Sequence, residues 1–236
     1  MLARLLSAVL LLTALTGAPL AQLVPSLTTT GSGEVRIEPD MATIRLGAVS
    51  RGLTAREAQD GVNLALTAIV AAVEEAGIER GEIQTSQLAL QPVYSNTRRS
   101  GETPTIAGYT ASYTIAIRIT RLELVGPVVD KGLQAGANRL DGLTFGVVDD
   151  APYRREALQA AIRDARMKAE ALAEAAHVKI LEVLEIAEGG VAIRPLPVVG
   201  RGVALAMEGV SVSTPVLPGQ VTVSGSVTVR YRVGPG

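Results

Sequence analysis

Few residues in this chain can carry acid–base or metal chemistry. Cysteine is absent and His177 is the one histidine among 236 residues. The absence of cysteine excludes disulfides, thiol nucleophiles and cysteine-ligated zinc, and a single imidazole excludes a histidine-rich metal site. His177 directly follows a predicted helix, where the helix dipole favours a cation. We therefore interpret His177 as a capping residue and not as a general base.

Acidic residues and a glycine pair are the remaining candidates for a reactive or binding site. Asp149-Asp150 stands just before a predicted helix and indicates capping, while Asp40 and Asp141-Gly142 are typical of turns. Gly31-Ser32-Gly33 is reminiscent of a phosphate loop, but a phosphate loop leads into a helix N-terminus and here a strand follows. The glycines instead indicate a strand entry or a bulge. We predict no catalytic residue, no metal site and no cofactor.

Composition narrows the function classes further. The chain is 47% hydrophobic and 19% charged, with a net charge of −1 and only 3% aromatic residues. This balance is typical of a globular protein with a buried core. No basic surface is available for phosphate backbones, so we predict no nucleic-acid partner. Scarce aromatic side chains also argue against a carboxylate-only hydrolase acting on glycans.

The N-terminus resembles an export signal. A short basic start ending at Arg4 precedes an apolar run from Leu5 to Leu15, which is about half the ~20 residues needed to span a bilayer. We predict a signal peptide over residues 1–21, cleaved after Ala18 or, more consistently with Pro19, after Ala21. The rest of the chain, residues 22–236, is then a single periplasmic domain, and association with the outer membrane is left open.

Local patterns predict alternating strands and helices. A capping box formed by Thr54 and Glu57 begins a first long helix that ends near Ala76. A second long helix opens at Pro152, with a predicted apolar stripe formed by Leu158, Ile162, Ala165, Ala169, Leu172 and Ala176. Strands are predicted over 28–37, 41–49, 82–94, 106–120, 143–148, 178–187 and 220–233, with a shorter helix over 122–135. The fold class is α+β, an antiparallel sheet covered on one face by two long amphipathic helices, with a shorter third helix.

A long Pro- and Gly-rich segment, residues 189–218, is apolar and is predicted to be a loop. Its exposed side chains need a cover, which is a partner subunit, a membrane surface or the same domain. With the predicted 95–104 hairpin loop, it supplies the candidate subunit or partner contacts Val191, Ile193, Arg194, Leu196, Val198, Val199, Val203, Leu205, Met207, Arg98 and Arg99.

Six stretches of the chain form a recognisable series: residues 31–44 (GSGEVRIEPDMATI), 82–88 (EIQTSQL), 106–112 (IAGYTAS), 135–147 (AGANRLDGLTFGV), 165–170 (ARMKAE) and 215–220 (PVLPGQ). In this order they resemble the SIMPL-domain (DUF541) family of bacterial periplasmic proteins. No single stretch is specific, but six in the family's order cover nearly all of the exported chain. Departures are Ser86-Gln87 in place of the usual Ser-Gly and His177 in place of a common glycine.

The resemblance implies a periplasmic protein without a known catalytic site, some relatives of which assemble into large rings and are linked to oxidative-stress tolerance. The leading hypothesis is therefore a self-assembling envelope protein, a homo-oligomer with contacts to an envelope protein or membrane surface. A second hypothesis is a monomeric or small-oligomer binding module that adds a peptide at a strand edge. The third, the hydrolase, is the weakest.

Overall fold

The computed structural model describes residues 24–95, 104–195 and 214–236. These residues form seven strands and three helices, together with two short 3-10 turns at Arg80–Glu82 and Leu122–Leu124. The strands are β1 (Ser26–Ile37), β2 (Met41–Gly52), β3 (Ile83–Tyr94), β4 (Ile106–Ile119), β5 (Arg139–Gly146), β6 (Val178–Pro195) and β7 (Val221–Pro235). The helices are α1 (Ala55–Glu75), α2 (Val125–Gln134) and α3 (Ala151–Ala175). The α+β class is confirmed.

The strands are divided between two antiparallel sheets, whereas the sequence suggested one. The first sheet has the order β3-β4-β2-β5 and the second has the order β1-β7-β6. The division arises because β7 returns from the C-terminus to pair along the whole of β1, from Ser26 opposite Arg232 to Ile37 opposite Val221. The residues between β1 and β2 thus pass from one sheet to the other.

Helices α1 and α2 cover one face of the four-stranded sheet. The predicted capping box begins α1, where the Thr54 hydroxyl accepts from the Glu57 N–H at 3.2 Å and the Glu57 carboxylate accepts from the Thr54 N–H at 3.3 Å. Buried α1 side chains join those of β2 and β4 in the main core, which includes Ile44, Ile69 and Ile117. The core lies over the two central strands and leaves β3 at the margin.

Helix α3 packs on the three-stranded sheet through alanines, and its contact face differs from the predicted stripe. The fully buried residues are Ala157, Ala161, Ala165 and Ala169, with Ala173 following. Ile162 and Leu172 of the predicted stripe are 41% and 49% exposed. Small residues occupy this face because α3 approaches the backbone of β1 at Gly31 and Gly33 too closely for larger side chains.

The predicted loop over 189–218 begins later than expected. Strand β6 continues to Pro195, and its end pairs with β7 from Gly190 opposite Ser226 to Pro195 opposite Val221. A register shift lies beside Gly190, whose φ is 100°. This bulge accommodates within the strand the glycines that suggested a loop. Residues 196–213 of the predicted loop lie outside the described residues. The described chain resumes at Thr214, whose hydroxyl donates to the carboxylate of Asp130 in α2 at 2.6 Å.

Asp141-Gly142 also departs from its interpretation as a turn. Both residues lie inside β5, next to a register shift between Arg45 and Leu46 of β2, and Gly142 has a φ of 147°. Here glycine accommodates a bulge within the strand. Strand β5 accordingly starts at Arg139, four residues earlier than predicted.

Candidate interaction surface

The residues first considered for chemistry have structural partners. His177 follows α3 with a φ of 54°, and its N–H donates to the Glu174 carbonyl at 3.1 Å, so its backbone closes the helix. The Asp149 carboxylate accepts from the Ala151 N–H at 3.1 Å at the start of α3, whereas the N-cap residue, Asp150, makes no capping hydrogen bond with its side chain. Asp150 instead pairs with Arg154 at 2.6 Å. Each of the three residues thus has a structural contact that requires no acid–base role.

Carboxyl groups with shifted pKa values are all shifted downward in the described part of the chain. Arg118 lowers the pKa of Glu82, Arg154 lowers that of Asp150, and Lys168 with the Ser32 N–H lowers that of Asp164. A general acid at neutral pH needs a raised pKa instead. Among the residues that the structure describes, no group of three or more histidine and carboxylate side chains is placed to hold a metal ion.

The Gly-Ser-Gly segment of β1 contacts α3. A Cβ on Gly31 would lie 2.0 Å from the Ala161 carbonyl oxygen, and a Cβ on Gly33 would lie 2.0 Å from the Ala157 carbonyl oxygen. The bulge considered from the sequence is absent here, since β1 and β7 pair without a register shift. The two glycines permit close contact between the strand and the helix.

Of the four strands at the margins of the sheets, β1 is covered by α3. The Asp164 carboxylate accepts from the Ser32 N–H at 2.8 Å, and the Lys168 ammonium donates to the Thr30 carbonyl at 3.1 Å. Lys168 and Asp164 also form an ion pair at 2.6 Å. Side chains of the helix thus occupy backbone groups that another strand would need.

Strands β5 and β6 are protected in other ways. Strand β6 carries Glu182, Glu185 and Glu188 and has three register shifts along its pairing with β7. Strand β5 carries Arg139 and Asp141, has a register shift and contacts β6. Charges and bulges are the usual means by which edge strands avoid pairing with other chains.

Asn138, just before β5, has a role that sequence reasoning missed. Its side-chain amide accepts from the Val49 N–H at 2.7 Å and donates to the Val49 carbonyl at 2.9 Å. The amide thereby pairs with the backbone of Val49 on the side of β2 that faces β5, beyond the last β2–β5 residue pair. The sequence signal for this role was the pair Gly136-Ala137 just before Asn138, which is typical of a turn. Asparagine side chains commonly imitate backbone pairing near turns.

Strand β3 differs from the other marginal strands. Its twelve residues, Ile83–Tyr94, include no charged side chain. Leu88 is 56% exposed and Leu90 is 44% exposed, and both lie opposite β4 residues on the face that α1 packs against, Leu88 beside Tyr113 and Leu90 beside Ala111. Two register shifts interrupt its pairing with β4, one near Ser86 and one between Val93 and Tyr94. This uncharged strand, with its exposed leucines, is hereafter called the β3 edge.

A shallow pocket lies beside the C-terminal end of β3. Its volume is about 350 Å³, and its lining includes Leu53, Val93, Gly108 and Tyr109, with Arg51 at one side. Leu53 is exposed, and Val93 belongs to β3 itself. The β3 edge and this pocket therefore form one continuous region of the surface.

The predicted contact residues are only partly described. Val191, Ile193 and Arg194 lie on β6 and not in a loop, with Val191 and Ile193 half-buried and Arg194 exposed. Other apolar side chains of β6, Leu181, Val183 and Ile186, are more exposed than these. The remaining contacts fall outside the described residues: Leu196, Val198, Val199, Val203, Leu205, Met207, Arg98 and Arg99. The β3 edge was not among the predicted sites.

None of the described helices is long and apolar enough to cross a membrane. Comparison with known proteins matches residues 27–231 to the family model described as SIMPL, a protein of unknown function (DUF541). The chain is 32% identical to the 26 kDa periplasmic immunogenic protein of Brucella melitensis over 209 residues, which cover 86% of this chain and 83% of that protein.

The Brucella abortus protein of the same name has the same identity and coverage. The uncharacterized protein YggE of Escherichia coli is 26% identical over 162 residues, covering 69% of this chain and 65% of YggE. The family match includes β1 from Leu27, β7 as far as Tyr231, and every other described strand and helix in full. This chain belongs to the SIMPL (DUF541) family.

Proposed function

We propose that the chain is a non-catalytic periplasmic protein that works as a building block of a homo-oligomer. The periplasmic location is suggested by the name of the Brucella relatives and by the apolar N-terminal run. The observation that carries the assembly proposal is the exposure of apolar side chains on strands β3 and β6, namely Leu88, Leu90, Leu181, Val183 and Ile186.

Burial of these side chains would drive association. Full burial of a leucine or isoleucine contributes about 1.5–3 kcal/mol, and each of these residues is roughly half exposed, so each adds about 1 kcal/mol when covered. Several such residues on one interface offset the loss of translational freedom only when shape and hydrogen bonds also match. The β3 edge satisfies the second requirement because it offers backbone donors and acceptors.

The proposal places any contribution to oxidative-stress tolerance in the assembly and not in thiol chemistry, because the chain has no cysteine. Methionine is a poor alternative, with four residues in the whole chain, although Met167 is 62% exposed.

The first test is the native mass of the chain from Gln22 onward, which contains every residue that the structure describes. Size-exclusion chromatography with light scattering at micromolar concentration should give a mass of several chains. A strictly monomeric protein would contradict the proposal and favour the second candidate, an extended peptide ligand added to β3. In that case, hydrogen exchange of β3 amides should slow when periplasmic extract is added.

A further inference from the structure

A short palindrome lies at the centre of the β3 edge. Residues 87–91 read Gln-Leu-Ala-Leu-Gln in both directions along the chain, with Ala89 in the middle. In a pair of antiparallel strands related by a two-fold axis, each residue lies opposite its counterpart across the axis. With Ala89 on the axis, every residue of this segment would meet a residue of its own type.

The two faces of the strand are also matched by this arrangement. Leu88 and Leu90 lie on the face shared with Tyr113 and Ala111 of β4, where α1 packs, and each would meet a leucine of the second copy. Gln87 and Gln91 lie on the opposite, open face, beside threonines of β4, and their amides can hydrogen-bond across the axis. No charged side chain opposes a like charge, because β3 has none.

The neighbouring residues limit where pairing can occur. Pro92 has no backbone N–H, and the register shift between Thr85 and Gln87 disturbs the strand on the other side. The regular stretch between them is the palindrome, residues 87–91. A slip by one residue would place leucines opposite open-face residues, so the face pattern favours the register centred on Ala89.

The position of α1 leaves room for a second copy. Helix α1 lies mainly over β2 and β4, and its buried residues Ala58, Val62, Ile69 and Val73 pack toward those strands. The leucines of β3 are exposed because the helix does not reach them. Two joined β3 strands would therefore lie between the two α1 helices, with the leucines of both copies packed on that face.

We propose that the β3 edge pairs with the β3 edge of a second copy of this chain, antiparallel and centred on Ala89. Two four-stranded sheets then form one continuous eight-stranded sheet. This inference rests on the proposed assembly and names one of its interfaces. The other three marginal strands lack this combination, since β1 is covered by α3 and both β5 and β6 carry charged side chains.

A cysteine at the axis tests the register directly, because the native chain has none. Directly opposite residues of antiparallel strands have Cα atoms about 4.5–5.5 Å apart, within the range that a disulfide spans. Ala89→Cys should form a covalent dimer under mild oxidation in the chain from Gln22 onward. The matched control is Ala171→Cys at an exposed position of α3, outside the surfaces proposed for assembly, and its dimer yield should be lower by about tenfold.

Charge pairing gives a second readout that does not depend on oxidation. Leu88→Lys alone and Leu90→Glu alone should each weaken association by on the order of tenfold or more, since a charge would face a leucine. In a mixed dimer of the two variants, the lysine introduced in one copy faces the glutamate introduced in the other, and mixing should restore the wild-type mass. Leu172→Lys on α3, where Leu172 is about half exposed, is the control for added charge and should leave Ala89→Cys cross-linking unchanged.

The outcomes separate this inference from the proposed function. If the wild-type protein is monomeric and the Ala89→Cys variant forms no covalent dimer, both proposals are overturned. If the wild-type protein is oligomeric but Ala89→Cys yields no more dimer than Ala171→Cys, and mixing the two charge variants does not restore association, only the β3 pairing is overturned. Protection of β3 amides by a periplasmic peptide in a monomeric chain would assign the edge to a different partner and also overturn the pairing.

Discussion

At the scale of single residues, the glycines of β1 set the distance between strand and helix. The Cα of Gly31 faces α3 so closely that a Cβ would lie 2.0 Å from the Ala161 carbonyl oxygen and 2.4 Å from the Ala165 nitrogen. Both contacts are with the helix backbone, which cannot rotate away as a side chain can. A methyl group at this position must therefore push α3 off the sheet.

Gly31→Ala should lower the free energy of unfolding by about 1–3 kcal/mol through this overpacking. Gly81→Ala is the control, because a Cβ on Gly81 would meet no atom within 4 Å and its φ is not positive. Its effect should stay within about 0.5 kcal/mol. Urea unfolding followed by circular dichroism gives both values, and equal effects of the two substitutions would refute the close-packing argument.

Asp164 links the same helix to the edge of β1 and makes the link dependent on pH. Its pKa lies below the ordinary value of 3.8, chiefly because Lys168 donates to the carboxylate and also because the Ser32 N–H does. A lowered pKa in the folded state means that the stabilising contribution is present above about pH 4 and is lost as pH falls through the folded-state pKa.

Unfolding free energies measured between about pH 6 and pH 2 should therefore decline below about pH 4, and Asp164→Asn should reduce the decline. Asparagine keeps an oxygen that can accept from the Ser32 N–H but cannot form the ion pair with Lys168. The decline should persist in part, because Glu82 and Asp150 also have lowered pKa values. An unchanged pH profile in the variant would show that the Asp164 contacts contribute nothing to stability.

At the scale of elements, α3 shows why the largest apolar residues do not always mark the buried face. Hydrophobic periodicity favours a stripe that includes Ile162 and Leu172, whereas the fully buried residues include Ala157 and Ala161. Close contact with a glycine strand needs small residues, so the alanines pack and the larger residues lie at the side of the contact. The four-residue spacing of the alanines from Ala157 to Ala169 is visible in the sequence, as is the Gly-Ser-Gly strand that they contact.

Substitutions on α3 distinguish the two faces. Ala161→Leu should cost about 1–3 kcal/mol of unfolding free energy, because the added atoms have no space against β1. Leu172→Gln should cost less than about 1 kcal/mol, since Leu172 is half exposed. Thermal and urea unfolding of both variants would measure the difference. A larger loss of unfolding free energy for Leu172→Gln would show that the packed face is the stripe predicted from periodicity.

Which strands lie at the margins of the sheets was harder to predict from the sequence. The sequence predicted that β3 exists and that it forms a hairpin with β4, and the structure confirms both. Whether a strand lies at a margin depends on pairing with residues distant in the chain, which local alternation does not encode. The β3 edge was therefore missed as a site, although its lack of charge and its palindrome were visible in the sequence.

At the scale of the whole molecule, the chain forms two sheets, each with its own hydrophobic core. The core under α1 and α2 includes Ile44 and Ile117, while α3 and β7 form a second cluster with Ala165 and Tyr231. A β3 pair on the first sheet would leave the second sheet, with its exposed β6 side chains, available for further contacts. Because a two-fold β3 interface joins only two copies, an assembly larger than a dimer would need a second interface.

The sequence by itself determined the secondary elements, the α+β class, the family and the lack of cysteine chemistry. These depend on local signals: the capping box at Thr54, the proline opening α3 and the alternation in β7. Only the tertiary structure decided that β1 joins β7 and not β2, that α3 packs through alanines, and that β3 remains uncovered. Those features follow from non-local pairing and close backbone approach, in which contacts between distant residues outweigh the preference of each segment.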